Sequence, residues 1–432
     1  MTEQATSDIP SELTQKFLDK GWTPENVVRI VVDRARSRGF SLEQINSFLD
    51  QGLLTPDRLG QVFGRGGDGG AARAEGGLFN EQQQVYIDNL KQGRYDLTWL
   101  KDDAPRWGIR ATPRDPARGL TLQDINAAYA GEPEDAPKLR TMAPRGAVVD
   151  PDVPDMGYTY NEKYQVWSDN VVALYEEAVA RQWSATRDVP WDELKPLPDD
   201  LERAQCQIST FLTEVEMIAS DFPAKWLWQM NQHFHEVKMF LCTQAMDEAR
   251  HLEVFRKRAL ANGGGLMHCL TGTEMFLRTI LHAPTYIQGS FLMHVLGEGL
   301  VLDIFRGGEF LAKNKTEKEI YRLCMQDEAR HVSYGTMHLK YFLEHHPNRE
   351  QAIAEMHALA EMAELGIPGF LTNPYIIEPL AVLMGNGVKG VDKGMEAVRL
   401  VWTRMREEYL NRCALAGFDR RSLTRVPEEA PY

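Results

Sequence analysis

Apolar positions recur at helical spacing over most of this chain. Near the N-terminus the run FLDKGWTPENVVRIVVDRARSRGF carries them every three or four residues, and Ser41 is placed to cap a following segment, SLEQINSFLDQG. From about Tyr160 the pattern lengthens. Residues 162–187, 199–222, 234–261, 285–312 and 316–345 each predict a helix, with connections such as NGGGLMHC (262–269) and HAP (282–284) between them. Residues 350–413 predict two or three more. Convincing alternating strand patterns are absent. The expected fold class is mainly α, a helical bundle with additional N- and C-terminal helices.

The polar stretches set the expected boundaries. Residues 1–63 read as a small N-terminal helical segment. Residues 64–158 read as a Gly/Pro-rich linker, GRGGDGGAARAEGG (64–77), followed by an irregular wrapping region. Residues 159–346 carry the bundle and 347–432 a C-terminal helical extension. Gly64-x-Gly66-x-x-Gly69 has the letters of a dinucleotide fingerprint but lacks the strand before it and the helix after it, so that reading is rejected. Two N-terminal helices around a tight turn suggest a helix-turn-helix, but a plain helical hairpin suits so acidic a chain better.

Composition narrows the function classes. The formal net charge is −14, which argues against nucleic acid as a partner. Glu, Asp, His or Arg interrupts every apolar run, so no membrane span is expected. MTEQATSDIPSEL lacks the features of a signal peptide. Five scattered cysteines without a CxxC fit free buried thiols in a reducing, cytoplasmic setting.

The chemistry concentrates in one pentapeptide, DEARH, which occurs at 247–251 and again at 327–331. On a helix, residues i and i+3 share a face. Glu248 points with His251, and Glu328 with His331. One carboxylate and one imidazole form half a metal site, and a dinuclear carboxylate centre needs two further carboxylates from two other helices. Glu298 lies 30 residues before Glu328, a spacing that a helix, a turn and a returning helix can bring to one level. Before the first motif stand Glu216 and Glu214, at 32 and 34 residues from Glu248. If the halves repeat, Glu216 is preferred and Glu214 is the alternate. Hard oxygen donors with imidazole suit two iron ions cycling between Fe2+ and Fe3+, and they suit a Mn/Fe pair as well. Asp247 and Asp327 are placed to hold the histidine of the opposite motif, with Arg250 and Arg330 balancing charge. A single ExxH is ordinarily a salt-bridged surface face. Two in identical, apolar-flanked context are not, because buried carboxylates are costly unless paired or metal-bound.

Glu216, Glu248–His251, Glu298 and Glu328–His331 resemble the six ligands of the ferritin-like di-iron carboxylate superfamily, which includes the ribonucleotide reductase small subunit and stand-alone di-iron oxygenases. The resemblance covers roughly residues 160–345. It implies a ferritin-like bundle and a non-haem di-iron, O2-activating oxidoreductase, an oxygenase or oxidase acting on a small organic substrate. It also implies electrons from a separate ferredoxin or reductase, because the chain shows no flavin or nicotinamide signature, and it allows a homodimer. Phe255 stands where the reductase subunit carries its radical tyrosine, which argues against a stable tyrosyl radical. Leu302 replaces the threonine of the multicomponent hydroxylases, and Cys324 the extra histidine of certain arylamine N-oxygenases. A second reading is a non-catalytic ferritin-like protein that binds metal or another ligand.

Other residues carry less. His233, His235, His268, His282 and His294 fall in or near the bundle, and only His294, one turn before Glu298, shares a ligand's face. It reads as an extra ligand or proton relay, or more ordinarily as hydrogen-bonded core. Trp183 sits where related proteins carry an electron-transfer aromatic, though a buried core indole is the plainer reading. The methionines read as core filling, and Cys242 and Cys324 as inert thiols.

Overall fold

The structure is a computed structural model. It describes residues 11–20, 22, 27, 42–50, 79–101, 107–129, 131–132, 134–135, 141–149, 161–371 and 373–432. The glycine-rich fingerprint letters, the linker 64–77 and most of the helix-turn-helix segment lie outside them. Two compact units divide the chain, Met1–Asp102 and Asp103–Tyr432. Among the described residues every regular element is helical.

In the first unit, helices α1 (Ser11–Asp19) and α2 (Leu42–Asp50) bring Leu13, Phe17, Ile45 and Leu49 out of water, with the Trp22 ring edge-on to Phe17. Lys16 reaches Asp50 at 3.3 Å, and Lys20 Nζ donates to the Leu49 carbonyl. Helix α3 (Glu81–Lys91) starts at a capping box: Asn80 accepts from the Gln83 amide, and the Gln83 side chain accepts from the Asn80 amide.

The second unit opens with α4 (Leu122–Ala128), capped by Thr121, and the short α5 (Lys163–Val166) and α6 (Val171–Ala180). The periodic run 162–187 is therefore two helices. Ser168 and Asn170 bond to each other between them, a local side-chain turn that competes with the helix ladder. Four long helices follow: α7 (Asp199–Leu227), α8 (His235–Ala261), α10 (Tyr286–Leu311) and α11 (Lys315–His345). The connections between α7 and α8 and between α10 and α11 are short, which makes each pair antiparallel neighbours. Acidic Asp199, Asp200 and Glu202 open α7, where the helix dipole favours them. Asn314 starts α11 by accepting from the Glu317 amide at 2.9 Å.

Between the pairs lies α9 (Thr271–Leu281), a helix that the periodicity reading passed over. Only Thr273, Leu277 and Ile280 of it are buried, too narrow a stripe to stand out in a short window. Helices α12 (Arg349–Leu371), α13 (Pro374–Met384) and α14 (Val391–Leu415) complete the chain and pack against the core: α13 on α7, α14 on α10, and α12 on α9 and α11.

By length and composition α10 could cross a membrane, despite the charges that seemed to interrupt it. It is instead a core helix, with 83% of its most apolar window buried. Its central turn, Phe291–Gly297, is a π-helix. The thiols correct another expectation: Cys206, Cys324 and Cys413 are buried, but Cys242 and Cys269 are exposed. An apolar flank on one helix face leaves the other face in water.

Candidate metal centre

Each core helix delivers its part of the site by phase. Glu216 lies on the buried face of α7, while Glu214, two residues earlier, is half-buried and points elsewhere, toward Cys269. On α8, Glu248 and His251 share a face and both have no exposed surface. Glu298 follows directly on the π segment of α10. On α11, Glu328 and His331 are buried together. These six side chains meet as two overlapping groups, Glu216–Glu248–His251–Glu328 and Glu248–Glu298–Glu328–His331. Glu248 and Glu328 belong to both.

The distances give the inner geometry. His251 Nδ1 is 3.1 Å from Glu248, 3.4 Å from Glu328 and 3.9 Å from Glu216. His331 Nδ1 is 3.0 Å from Glu248 and 3.4 Å from each of Glu298 and Glu328. The outer nitrogens cross over. His251 Nε2 lies 3.2 Å from Asp327, and His331 Nε2 lies 3.4 Å from Asp247. An ionised carboxylate only accepts, so each Nε2 carries a proton, and Nδ1 is the nitrogen that faces the cluster and would ligate a metal once it gives up any proton of its own. Arg250 and Arg330 each bond to both aspartates, closing a buried ring of four charges that sum to zero. Gln182 accepts from Arg250 at 2.6 Å, and the Trp183 indole N–H donates to Asp327 at 2.7 Å while its ring lies under the Arg250 guanidinium. Trp183 is thus core and also one hydrogen bond from the aspartate that holds His251.

That ring leaves the inner charges uncompensated. Burial, the largest influence, pushes the Glu216 and Glu298 carboxyl groups well above the ordinary range. Burial also opposes charge on the imidazoles. The acidic groups around them win nonetheless: Glu298 and Glu248 hold His331 well above its usual value, and hydrogen bonds to Asp327 and Glu216 do the same for His251. Burial works against Glu248 too, but the two histidines pull it well below. Glu216 Oε1, Glu248 Oε1, Glu298 Oε2, Glu328 Oε2 and His331 Nδ1 are buried and make no well-aligned hydrogen bond, although His331 Nδ1 lies within 3.4 Å of the Glu248 and Glu328 oxygens. Buried polar atoms are rarely left so, and a cluster of them facing one another fits metal ligation. Two divalent cations would match the four carboxylate charges.

One Glu from each of two helices and a Glu-x-x-His from each of two others is the ferritin-like dinuclear arrangement. The fold is a ferritin-like helical bundle. No protein-family model matches the chain, and no curated protein does. Among solved structures it is similar to an R2-like ligand-binding oxidase with an aerobically reconstituted Mn/Fe cofactor: 16% identity over 59% of this chain and 95% of that one, TM-score 0.43. A point variant of an R2-like ligand-binding oxidase, also with an aerobically reconstituted Mn/Fe cofactor, aligns at 15% identity over 58% and 94%, TM-score 0.46.

A narrow apolar cleft, with a cavity volume of about 30 Å3, adjoins the carboxylates. Phe211, Phe276, Leu277, Met293 and Ile304 are among its walls, and Glu216, Glu298 and Glu328 are its polar residues. Met293 alone of the bundle methionines lines it; Met246 and Met275 are exposed.

His233, His235, His268 and His282 stand outside the metal-ligand groups, and so does His294. His294 is fully buried, with Nε2 3.1 Å from Gln244 Oε1, and Gln244 Nε2 in turn donates to Glu298 Oε1 at 2.8 Å. Sequence reasoning missed Gln244. It lies four residues before Glu248 on the same helix face, and that i, i+4 relation was the available signal. Phe255 packs its ring 5.3 Å from Phe305 and 5.9 Å from Tyr321. Burial pushes the Cys324 thiol up to about 12, which leaves it inert at neutral pH.

Proposed function

We propose that the bundle holds two iron ions, or a manganese and an iron, and is an O2-activating oxidoreductase acting on a small organic substrate. The observation that carries this reading is the convergence of buried carboxylate oxygens and His331 Nδ1, which make no well-aligned hydrogen bonds, on two overlapping ligand groups. Glu216 and His251 would serve one ion and Glu298 and His331 the other, with Glu248 and Glu328 shared. Bound there, such a pair supplies the electrons that convert O2 into an oxidant.

The protein's own residues do the rest. Asp327 and Asp247 keep the imidazole protons on Nε2, so each Nδ1 faces the site as a lone pair. Arg250 and Arg330 neutralise those aspartates and leave the net negative charge on the inner carboxylates alone. The apolar walls of the cleft beside Glu216, Glu298 and Glu328 favour an apolar substrate portion. Electrons come from a separate donor protein, a ferredoxin or reductase. The Trp183–Asp327–His251 hydrogen-bonded line supports entry on that side.

Glu248→Ala and Glu328→Ala each remove a shared ligand. Bound metal should fall from about two ions per chain to well below one, counted by elemental mass spectrometry on purified protein. Unchanged content in both variants sinks the ligand assignment. Anaerobically reduced, iron-loaded protein should then consume O2 with a change in visible absorption. A metal-replete protein that does neither is the non-catalytic ferritin-like binder.

A further inference from the structure

We infer that Gln244 and His294 form a positioning pair that fixes Glu298 by a hydrogen-bond ladder of one polarity. The inference rests on the dinuclear reading above. The ladder begins at the ligand. Gln244 Nε2 donates to Glu298 Oε1 at 2.8 Å, and both side chains are buried. Ligated to a metal, Glu298 is ionised and only accepts, so the amide must present its N–H side to Glu298 and its carbonyl to the other side. That carbonyl, Oε1, lies 3.1 Å from His294 Nε2, which must therefore carry a proton. His294 Nδ1 is left bare and lies 2.9 Å from Ser290 Oγ.

The far end is fixed in the same way. His338 Nε2 is 2.8 Å from the Gln165 backbone carbonyl, which only accepts, so this nitrogen also carries the proton. His338 Nδ1 is bare and again 2.9 Å from Ser290 Oγ. One hydroxyl proton lies between two bare nitrogens, and Ser290 donates to one ring at a time. Burial, the largest influence on both rings, favours their neutral forms. The ladder thus has no freedom at its Gln244 end. With His294 donating to its carbonyl, the amide cannot flip its oxygen toward Glu298.

The backbone supports the same geometry. His294 lies in the π segment of α10, and Gly335 of α11 packs directly on it. A Cβ at residue 335 would stand 2.1 Å from His294 Cβ. No larger residue lets the two helices approach enough to hold the ring in line with Gln244. A purely space-filling role for His294 would need none of these hydrogen-bond polarities.

The test uses the full-length, metal-free protein titrated anaerobically with Mn2+ alone. Bound ions are counted, and the electron paramagnetic resonance spectrum is recorded at each step. Wild type should take about two ions and show the signal of a spin-coupled pair. Gln244→Met and His294→Phe keep volume but break the ladder. Each should weaken the ion held by Glu298 about 10- to 100-fold and lose the coupled signal, while the other ion stays bound. His294→Gln restores an N–H toward the Gln244 carbonyl and should recover the pair. Wild-type affinity and signal in Gln244→Met overturns the inference alone, as does a His294→Gln variant no better than His294→Phe. A wild-type protein that takes fewer than two ions overturns the dinuclear reading, and this inference falls with it.

Discussion

Each aspartate of the repeated pentapeptide serves the other copy's histidine. Asp247 shares a helix with His251 but faces His331 Nε2, and Asp327 mirrors it. A substitution should therefore act across the bundle. Asp247→Ala should weaken the ion held by His331 about 10- to 100-fold and leave the ion at His251 closer to normal, read by stepwise metal titration. Equal losses at both ions would contradict the crossed geometry. Burial also makes a pH prediction. It lowers the pKa of His338 from its ordinary value to about 4. The unfolded chain then binds the extra proton first as pH falls. The stability this neutral ring contributes is complete above roughly pH 6.5 and is lost on acidification toward 4, on the order of 3 kcal/mol in all. His338→Gln should flatten the fall in the denaturation midpoint across that window. An unchanged slope would mean that the ring is solvated in the folded state. At this scale the sequence was informative wherever chemistry follows a fixed spacing, as with Glu248 and His251 at i and i+3. It placed Gln244 only on the ligand-bearing face, four residues before Glu248; the role itself depends on a residue 54 positions away on another helix.

At the scale of elements, the π segment of α10 matters most. It inserts a wider turn just before Glu298, carries His294 inward and places Met293 in the cleft wall. No periodicity reading finds such a turn, because a run of apolar residues looks the same whichever carbonyl each amide bonds. The same limit hid the break between α5 and α6, where Val, Leu and Ala positions continue in phase across a side-chain turn. The start of α11 and the end of α8 were legible because polar residues mark them: Asn314 caps α11, and glycines follow Asn262 after α8. Close packing at the π turn gives a further prediction. Gly335→Ala forces the α10–α11 contact apart and should cost about 1–3 kcal/mol in urea denaturation, with metal binding weakened through the displaced His294. Wild-type stability in that variant would mean that α11 shifts freely.

In the whole molecule, the metal site lies where four helices from a 330-residue unit converge, and more chain is spent around it than in it. The C-terminal helices close the outer faces. Arg412 of α14 reaches in to donate to the Val295 carbonyl of the π turn and lies against Gly299, next to Glu298. A residue more than a hundred positions from the ligand thus supports its backbone. That dependence was invisible in the sequence, since an arginine in a helix is ordinarily solvent-facing.

Helix α10 has one more consequence, for the order in which the chain is made. It leaves the ribosome ahead of α11 and α14, the partners that cover it. For that interval an apolar helix of membrane-spanning length, with Glu298 inside it, has neither lipid nor the two later helices that cover it. Its safe passage depends on how quickly α11 folds back, and so on the three-residue turn that Asn314 ends. The short connection between α10 and α11 also limits how long this apolar helix stays uncovered.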